Sequence, residues 1–297
     1  MNSLCKVLVL LLLFFTISCQ QRTPESQGEE NYTFGTAQIL ADESLFTIID
    51  DEHQIFSNQY KRAQIKMVYK PLKEVLDLFV NDSIAIAVLP RELKANEAKY
   101  FEEKKIKVRA TKFATDGIAI ITGKSNIDSL ITLEEIKAIL SGKSNKNTDL
   151  VFDNPKSSTV EYLMELAKIN KLPDHHVYAL KSSKEVIQYI KNNPNAIGVL
   201  SVSWIKRPTP DLVSGLEKIK FMAVKNSKGE YQLPTQSNLK TGSYPLVRDL
   251  YLIDCQGKAG LGTGFAAFLA SDIGQRIILK AGLAPDSLPS RQINVYN

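Results

Sequence analysis

Three hydroxyl side chains, Ser157, Ser158 and Thr159, follow Lys156 in the stretch DNPKSSTVEYL, where apolar residues begin to recur at helical spacing. Hydroxyls at a helix start can seat an anion, because the first-turn N–H groups lack intrahelical partners and carry about half a positive charge. The same residues can also form an ordinary cap. Ser158 and Glu161 have capping-box spacing, and Val160, Leu163, Met164 and Ala167 make an apolar stripe. Two other loops follow predicted strands. One carries Glu43 and Ser44 ahead of a helix predicted from Leu45, with Ser44 either its cap or a ligand donor; the other carries Arg91 after Val88-Leu89-Pro90. Arg91 and Lys156 are cations suited to an anion. Glu43 and Asp116 are carboxylates that could bind a cationic or hydroxylated ligand or cap a helix.

Catalytic and metal chemistry find no constellation. The histidines are His53, His175 and His176, too scattered for a metal or catalytic set. Gly-x-Ser-x-Gly, the phosphate-loop Gly-x4-Gly-Lys-Ser/Thr and His-Glu-x-x-His do not occur. No enzyme, metal or cofactor is expected, and a Ser-Ser-Thr helix start without a base is not a catalytic site.

Short β-branched runs alternate with longer helical patterns, which predicts α/β units and a mostly parallel sheet. QIKMVYK (64–70) leads into PLKEVLDLFV (71–80), with Pro71 in the first turn, and then IAIAVL (84–89). After GIAIIT, Thr132 and Glu135 form a capping box, Leu133, Ile136, Ile139 and Leu140 give one apolar face, and Gly142 ends the helix. LVF (150–152), HVYAL (176–180), AIGVLSV (196–202), IKFMAV (219–224) and LYLID (250–254) read as strands, and helical stretches run through 264–282. Tyr244-Pro245 reads as turn and strand entry, and Trp204 as packing. The extended run 106–122 is long for one strand, as expected if it passes between two lobes.

The N-terminus reads as a targeting segment. Lys6 precedes an unbroken apolar run from Val7 to Phe15, too short for the roughly 20 residues that span a bilayer. Thr16-Ile17-Ser18-Cys19 resembles the lipobox of bacterial lipoproteins, which implies a signal peptide over 1–18 and a lipid on Cys19. Residues 19–32 are polar and aperiodic, as expected of a flexible tether. Only Cys255 remains beyond Cys19, so no internal disulfide is possible, and Cys255 is expected to be a buried apolar side chain. The net charge is +5, with bases and acids interleaved rather than massed, which argues against nucleic acid and is compatible with an anionic ligand.

Residues 111–143, TKFATDGIAIITGKSNIDSLITLEEIKAILSGK, resemble the central segment of the PstS-type phosphate-binding proteins of bacterial ABC importers. Ser157-Ser158-Thr159, NPNAIGVLSVSWI (193–205), YPLVRDLYLI (244–253) and FAAFLASDIGQRIILKAGLAP (265–285) follow in the order of that family. The resemblance implies an α/β, two-lobed type II periplasmic solute-binding fold with a ligand cleft between the lobes and two crossing strands. It places lobe I at 33–112 plus 204–297 and lobe II at 113–203. The family's contact loops fall on Glu43-Ser44-Leu45, on Val88 to Arg91 and on Ser157-Ser158-Thr159, with Asp116-Gly117 facing the cleft. Ligands in α/β lobes collect beyond strand C-termini and at helix starts, so the placement is physically consistent.

The chain departs from the family at the ligand positions. Asp153 stands where the family has an arginine, Ser158 where it has a glycine, Leu89-Pro90 where it has serine and aspartate, and Asp42-Glu43-Ser44 where it has Gly-Ser-Thr. Exchanging arginine for aspartate moves the local charge by about two units against an anion. The expected function is a lipid-anchored, extracytoplasmic, periplasmic-side binding protein, a monomer that captures phosphate or a related small anion for an ABC permease or other envelope complex. The alternative is an envelope sensor or protein-interaction module on the same fold.

Overall fold

The computed structural model of the protein describes residues 31–81 and 84–288, so the expected signal segment, Cys19 and nearly all of the tether lie outside the described residues. The first strand, β1 (Gly35–Asp42), ends in a single 3-10 turn, Glu43–Leu45, and leads into α1 (Phe46–Gln59). Then follow β2 (Ala63–Lys70), α2 (Leu72–Val80), β3 (Ile86–Leu89), α3 (Ala95–Glu103) and the 15-residue β4 (Arg109–Gly123). Beyond it come β5 (Leu130–Ile131), α4 (Leu133–Leu140), β6 (Leu150–Phe152), α5 (Ser158–Ala167), β7 (Val177–Ala179), α6 (Ser183–Asn192), β8 (Ile197–Ser201) and α7 (Ser203–Lys206). The last part holds β9 (Ile219–Phe221), β10 (Ala223–Lys225), β11 (Tyr231–Gln232), α8 (Gln236–Thr241), β12 (Val247–Asp254), α9 (Leu261–Ala270), α10 (Asp272–Lys280) and β13 (Ala284–Pro285).

The strands run in the order β2-β1-β3-β12-β4-β8-β6-β7, and β13 and β9 also pair with β4. The outer pairs are parallel, as the alternation of elements predicts: β1 with β2 and β3, β6 with β7 and β8. The centre is antiparallel, where β12 lies between β3 and β4 and β8 lies against the far part of β4. Arg109 to Gly117 of β4 pair with β12, whereas Ile118 to Ile121 pair with β8, so one strand serves two wings of an α/β, two-lobed fold. This is why the extended run is so long.

Two large apolar sets are buried, the first reaching into the second wing through Val151, Val186 and Ile190. In the first, Ile39 of β1, Ile48 and Phe56 of α1 and Phe265 of α9 are fully buried, with Phe56 and Phe265 edge to face at 5.3 Å. In the second, Ile118 and Ile120 of β4 meet Ile136 of α4, Phe152 of β6 and Leu163 of α5. The Thr132–Glu135 capping box forms as predicted, and Gly142 has φ of 69°. Cys255 is buried and free.

Several local readings change. Pro71 is the N-cap of α2, one residue outside its first turn. IKFMAV divides at Met222 into β9 and β10. The helical stretches expected through 264–282 do form, as α9 and α10 parted at Ser271, which caps the second by accepting the Gly274 N–H. The return to lobe I expected at residue 204 is brief. Trp204 donates its indole N–H to the Ser44 carbonyl at 3.0 Å, but β9 then pairs with the far end of β4, and β10 with β5. Met222, Val224, Leu239, Tyr244 and Leu246 share a core with Ile118 and Phe152, so residues 219–246 pack with the second wing until β12 crosses back. Tyr244-Pro245 lies in the bend that enters β12, and Tyr244 is core as well: it is fully buried, and its hydroxyl donates to the Ile118 carbonyl at 2.7 Å.

Tyr244→Phe keeps the ring and removes that donor. It is expected to lower the unfolding free energy by about 1–2 kcal/mol, read as a shift of the urea midpoint at constant slope. An unmoved midpoint contradicts the role given to the hydroxyl.

Candidate functional site

Two caps decide which hydroxyls are free. Asp42, at the end of β1, accepts the Ser44 N–H at 2.9 Å on Oδ1 and so caps the 3-10 turn. Ser44 is therefore not the cap, and its buried hydroxyl turns inward. At α5 the cap is Ser157, whose Oγ accepts the Val160 N–H at 3.2 Å. The expected Ser158–Glu161 capping box does not form, because the N-cap lies one residue earlier. Ser158, in the first turn, is released to meet Ser44: the two oxygens are 3.2 Å apart, one on each wing.

The group that joins them is Arg248. It lies on β12 directly opposite Asp116 on β4, and both are buried in the middle of the crossing strands. Nε and Nη2 donate to Asp116 Oδ2 at 3.0 and 2.9 Å, Nη1 donates to Ser158 Oγ at 2.8 Å, and Nη2 donates to Ser44 Oγ at 3.0 Å. A guanidinium has five N–H donors. Four of them are committed here, and the pair and both hydroxyls form one network.

Carboxyls outnumber this cation. Asp42 and Asp153 are both fully buried, and burial raises both acids above the ordinary range, with Arg248 pulling in the opposite direction. For Asp153 the result is about 6, Asp42 adding to the rise; its Oδ1 accepts the Asn154 N–H at 3.0 Å, and its Oδ2 accepts from Ser183 at 3.3 Å. Glu43 is pushed up to about 7, first by burial and then by Asp153, Asp42 and Glu74. Asp42 Oδ2, Asp116 Oδ1, Glu43 Oε1 and Thr159 Oγ1 are buried without a hydrogen-bond partner among the described residues.

The two cations expected at the ligand are held at the rim instead. Arg91 donates through Nε to Glu161 at 2.8 Å and through Nη1 and Nη2 to Glu97 at 2.8 and 2.9 Å. Lys94 also reaches Glu161 at 2.8 Å and pairs with Glu165. Lys156 lies 3.1 Å from Glu74, and its carbonyl accepts the Lys73 N–H. These contacts join the wings across the cleft mouth. A cavity of about 350 Å³ lies beside the network, with Arg248, Ser158, Tyr162 and Arg91 among its lining. So Ser44, Ser158 and Asp116 come together as expected, Ser157 acts as a cap, Thr159 is buried beside them, and Glu43 faces the other flank.

Arg248 was missed, although a signal exists. In VRDLYLID it shares strand parity with Leu250 and Leu252, both fully buried, so an alternating strand places a charge on the core face. Among the described residues no group of three or more His, Cys, Asp or Glu is placed to hold a metal ion, and no helix is long and apolar enough to cross a membrane.

Comparison with known proteins matches residues 26–272 to the PBP superfamily domain. The phosphate-binding protein PstS of Staphylococcus saprophyticus is 27% identical over 240 residues, which cover 75% of this chain and 70% of that protein. Among solved structures, a chain described as a phosphate ABC transporter substrate-binding protein from Clostridium perfringens, with bound phosphate, superposes with a TM-score of 0.71 at 21% identity, covering 85% of this chain and all of that one. An ABC-type phosphate transport receptor from Vibrio cholerae gives 0.62 at 17% identity, over 84% of this chain and 99% of that one. At these identities the superpositions establish the fold.

The Asp153 carboxyl generates a pH dependence. Its proton is held in the folded state up to about pH 6 but is lost near 3.8 when the chain unfolds. Stability is then fully present below the lower value and falls as pH rises through the upper one, by on the order of 2–3 kcal/mol. Asp153→Asn is expected to flatten this fall in urea unfolding measured between pH 4.5 and 7.5. A slope equal to that of the wild type contradicts it.

Proposed function

This chain belongs to the PBP superfamily, as a PstS-like member, and we propose that it is an extracytoplasmic solute-binding protein that captures inorganic phosphate or a related small anion in its cleft. The observation that carries the proposal is the convergence of the Ser44 and Ser158 hydroxyls, from opposite wings, on the buried guanidinium of Arg248. Phosphate entering between the two serines replaces their mutual hydrogen bond with bonds to its own oxygens. Arg248 supplies charge without leaving Asp116, and the first-turn N–H groups of α5 add the partial positive charge of a helix start. Arg248 thus stands in for the arginine that Asp153 displaces. The relatives named above are binding proteins, and the proposed role is likewise binding without catalysis. Delivery to an ABC permease, and tethering to the membrane on the periplasmic side through a lipid on Cys19, complete the proposal.

Asp42 and Asp153 set the condition for binding. Ionised, they oppose an anion; protonated, they remove that repulsion and can donate a hydrogen bond. Burial makes both weaker acids, and for Asp153, pushed up to about 6, the change falls in the acid-to-neutral region.

A second reading is a sensor or protein-interaction module, favoured by the rim pairs Arg91–Glu161, Lys94–Glu161 and Lys156–Glu74, which join the wings through protein groups alone. Calorimetric titration with phosphate separates the two. Saturable binding that tightens from pH 8 to pH 5.5, and weakens about tenfold in Ser158→Ala, is the expected outcome. No saturation at millimolar phosphate at either pH overturns the anion reading and leaves the module.

A further inference from the structure

On the flank of the cleft away from the rim arginine, a cavity of about 220 Å³ is walled by Phe46, Tyr69 and Trp204, with Glu43 on one side and Ser183 and Lys184 of α6 on the other. We propose that this cavity is a second binding site, one that takes a small organic ammonium ion against the Glu43 carboxylate and the three aromatic rings.

The walls are built for a cation. Phe46 stands edge to face with Tyr69, centroids 4.9 Å apart at 71°, and lies nearly parallel to Trp204 at 6.1 Å and 23°. The indole N–H of Trp204 is committed to the Ser44 carbonyl, which fixes the ring. Aromatic faces attract an ammonium group, and desolvation in a pocket strengthens that attraction. Two acceptors lack donors: Glu43 Oε1 and the Tyr69 hydroxyl are buried with no hydrogen-bond partner among the described residues. A primary ammonium has three N–H donors, as lysine has.

The charges around Glu43 leave room for an added cation. Asp42 and Asp153 face it from the cleft interior. Glu74 and Lys70 also act on it, with opposite signs, and Lys70 pairs with Glu74 at 3.8 Å. Lys184 on α6 pairs with Asp211 at 3.0 Å, and Arg248 is committed to Asp116. The neighbouring cations are thus engaged with other acids, Lys184 of the cavity wall among them. The expected pH response is opposite to that of the phosphate seat. Glu43 gains its proton near pH 7, so cation binding strengthens as pH rises through that value and fades below it.

Trp204 is the only tryptophan in the chain, so its fluorescence reports on this wall. The test is a titration of the whole protein with propylammonium chloride at constant ionic strength, with sodium chloride as the control. Propylammonium stays protonated over the range used, with a pKa near that of lysine, about 10.4. A saturable change at pH 8.5 that weakens at least about tenfold at pH 5.5 and in Glu43→Gln is the expected result. No saturable change beyond sodium chloride, or Glu43→Gln binding like the wild type, overturns the proposal. If Glu43→Gln fails to fold, the wild-type pH pair decides: equal binding at both values overturns it. Phosphate titrated separately into the same preparation keeps the two sites distinguishable, since either can fail alone.

Discussion

The buried pair of Arg248 and Asp116 is the constraint on which the rest of the cleft depends. Two ions taken out of water lose hydration worth several kcal/mol each, and only good geometry with further hydrogen bonds offsets the loss. Here the geometry comes from secondary structure. β12 and β4 are antiparallel partners, and their register sets Arg248 against Asp116 two residues before a β-bulge at Leu250/Tyr251. The remaining donors of the guanidinium must also be met, and Ser44 and Ser158 meet them. A pair in the crossing strands thereby ties a loop of one wing to a helix start of the other.

From that centre the charge distribution follows. One arginine is shared among Asp116, Asp42 and Asp153, and the buried acids in excess are driven toward their neutral forms. The cleft is then a place whose charge depends on pH, rather than a permanently positive one. At the mouth, Arg91, Lys94 and Lys156 are neutralised by Glu97, Glu161 and Glu74 and serve to join the wings. Such pairs are individually weak where exposed; Arg91, bidentate to Glu97 and only about one-fifth exposed, is the exception.

What could be read from the sequence was local or periodic. The Thr132–Glu135 box, the stop at Gly142 and the long crossing strand follow from spacing and recur in the structure. Ser44, Ser158 and Asp116 were legible as cleft residues from family order, although which serine caps which turn was not, since a cap moves by one residue with the backbone angles. Arg91 and Lys156 were legible only as cations. Glu97, bound by Arg91, is six residues away, but the partners that reach across the cleft, Glu161 and Glu74, lie 70 and 82 residues away, and nothing local selects them. Arg248 needed the parity of β12 to be read as a statement about burial. The excursion of residues 219–246 to the second wing depends on pairing with β4 and β5, a tertiary choice that strand propensity does not contain.

Arg248, with Ser44 and Ser158, is the proposed anion seat, in place of the cations that sequence order singles out. A crystal structure of the protein soaked with phosphate at pH 5.5 tests it most directly. Phosphate is expected between the two serine hydroxyls, within hydrogen-bond distance of Arg248 Nη1. Phosphate bound to Arg91 or Lys156 at the rim, with the Ser44–Arg248–Ser158 network undisturbed, would contradict it.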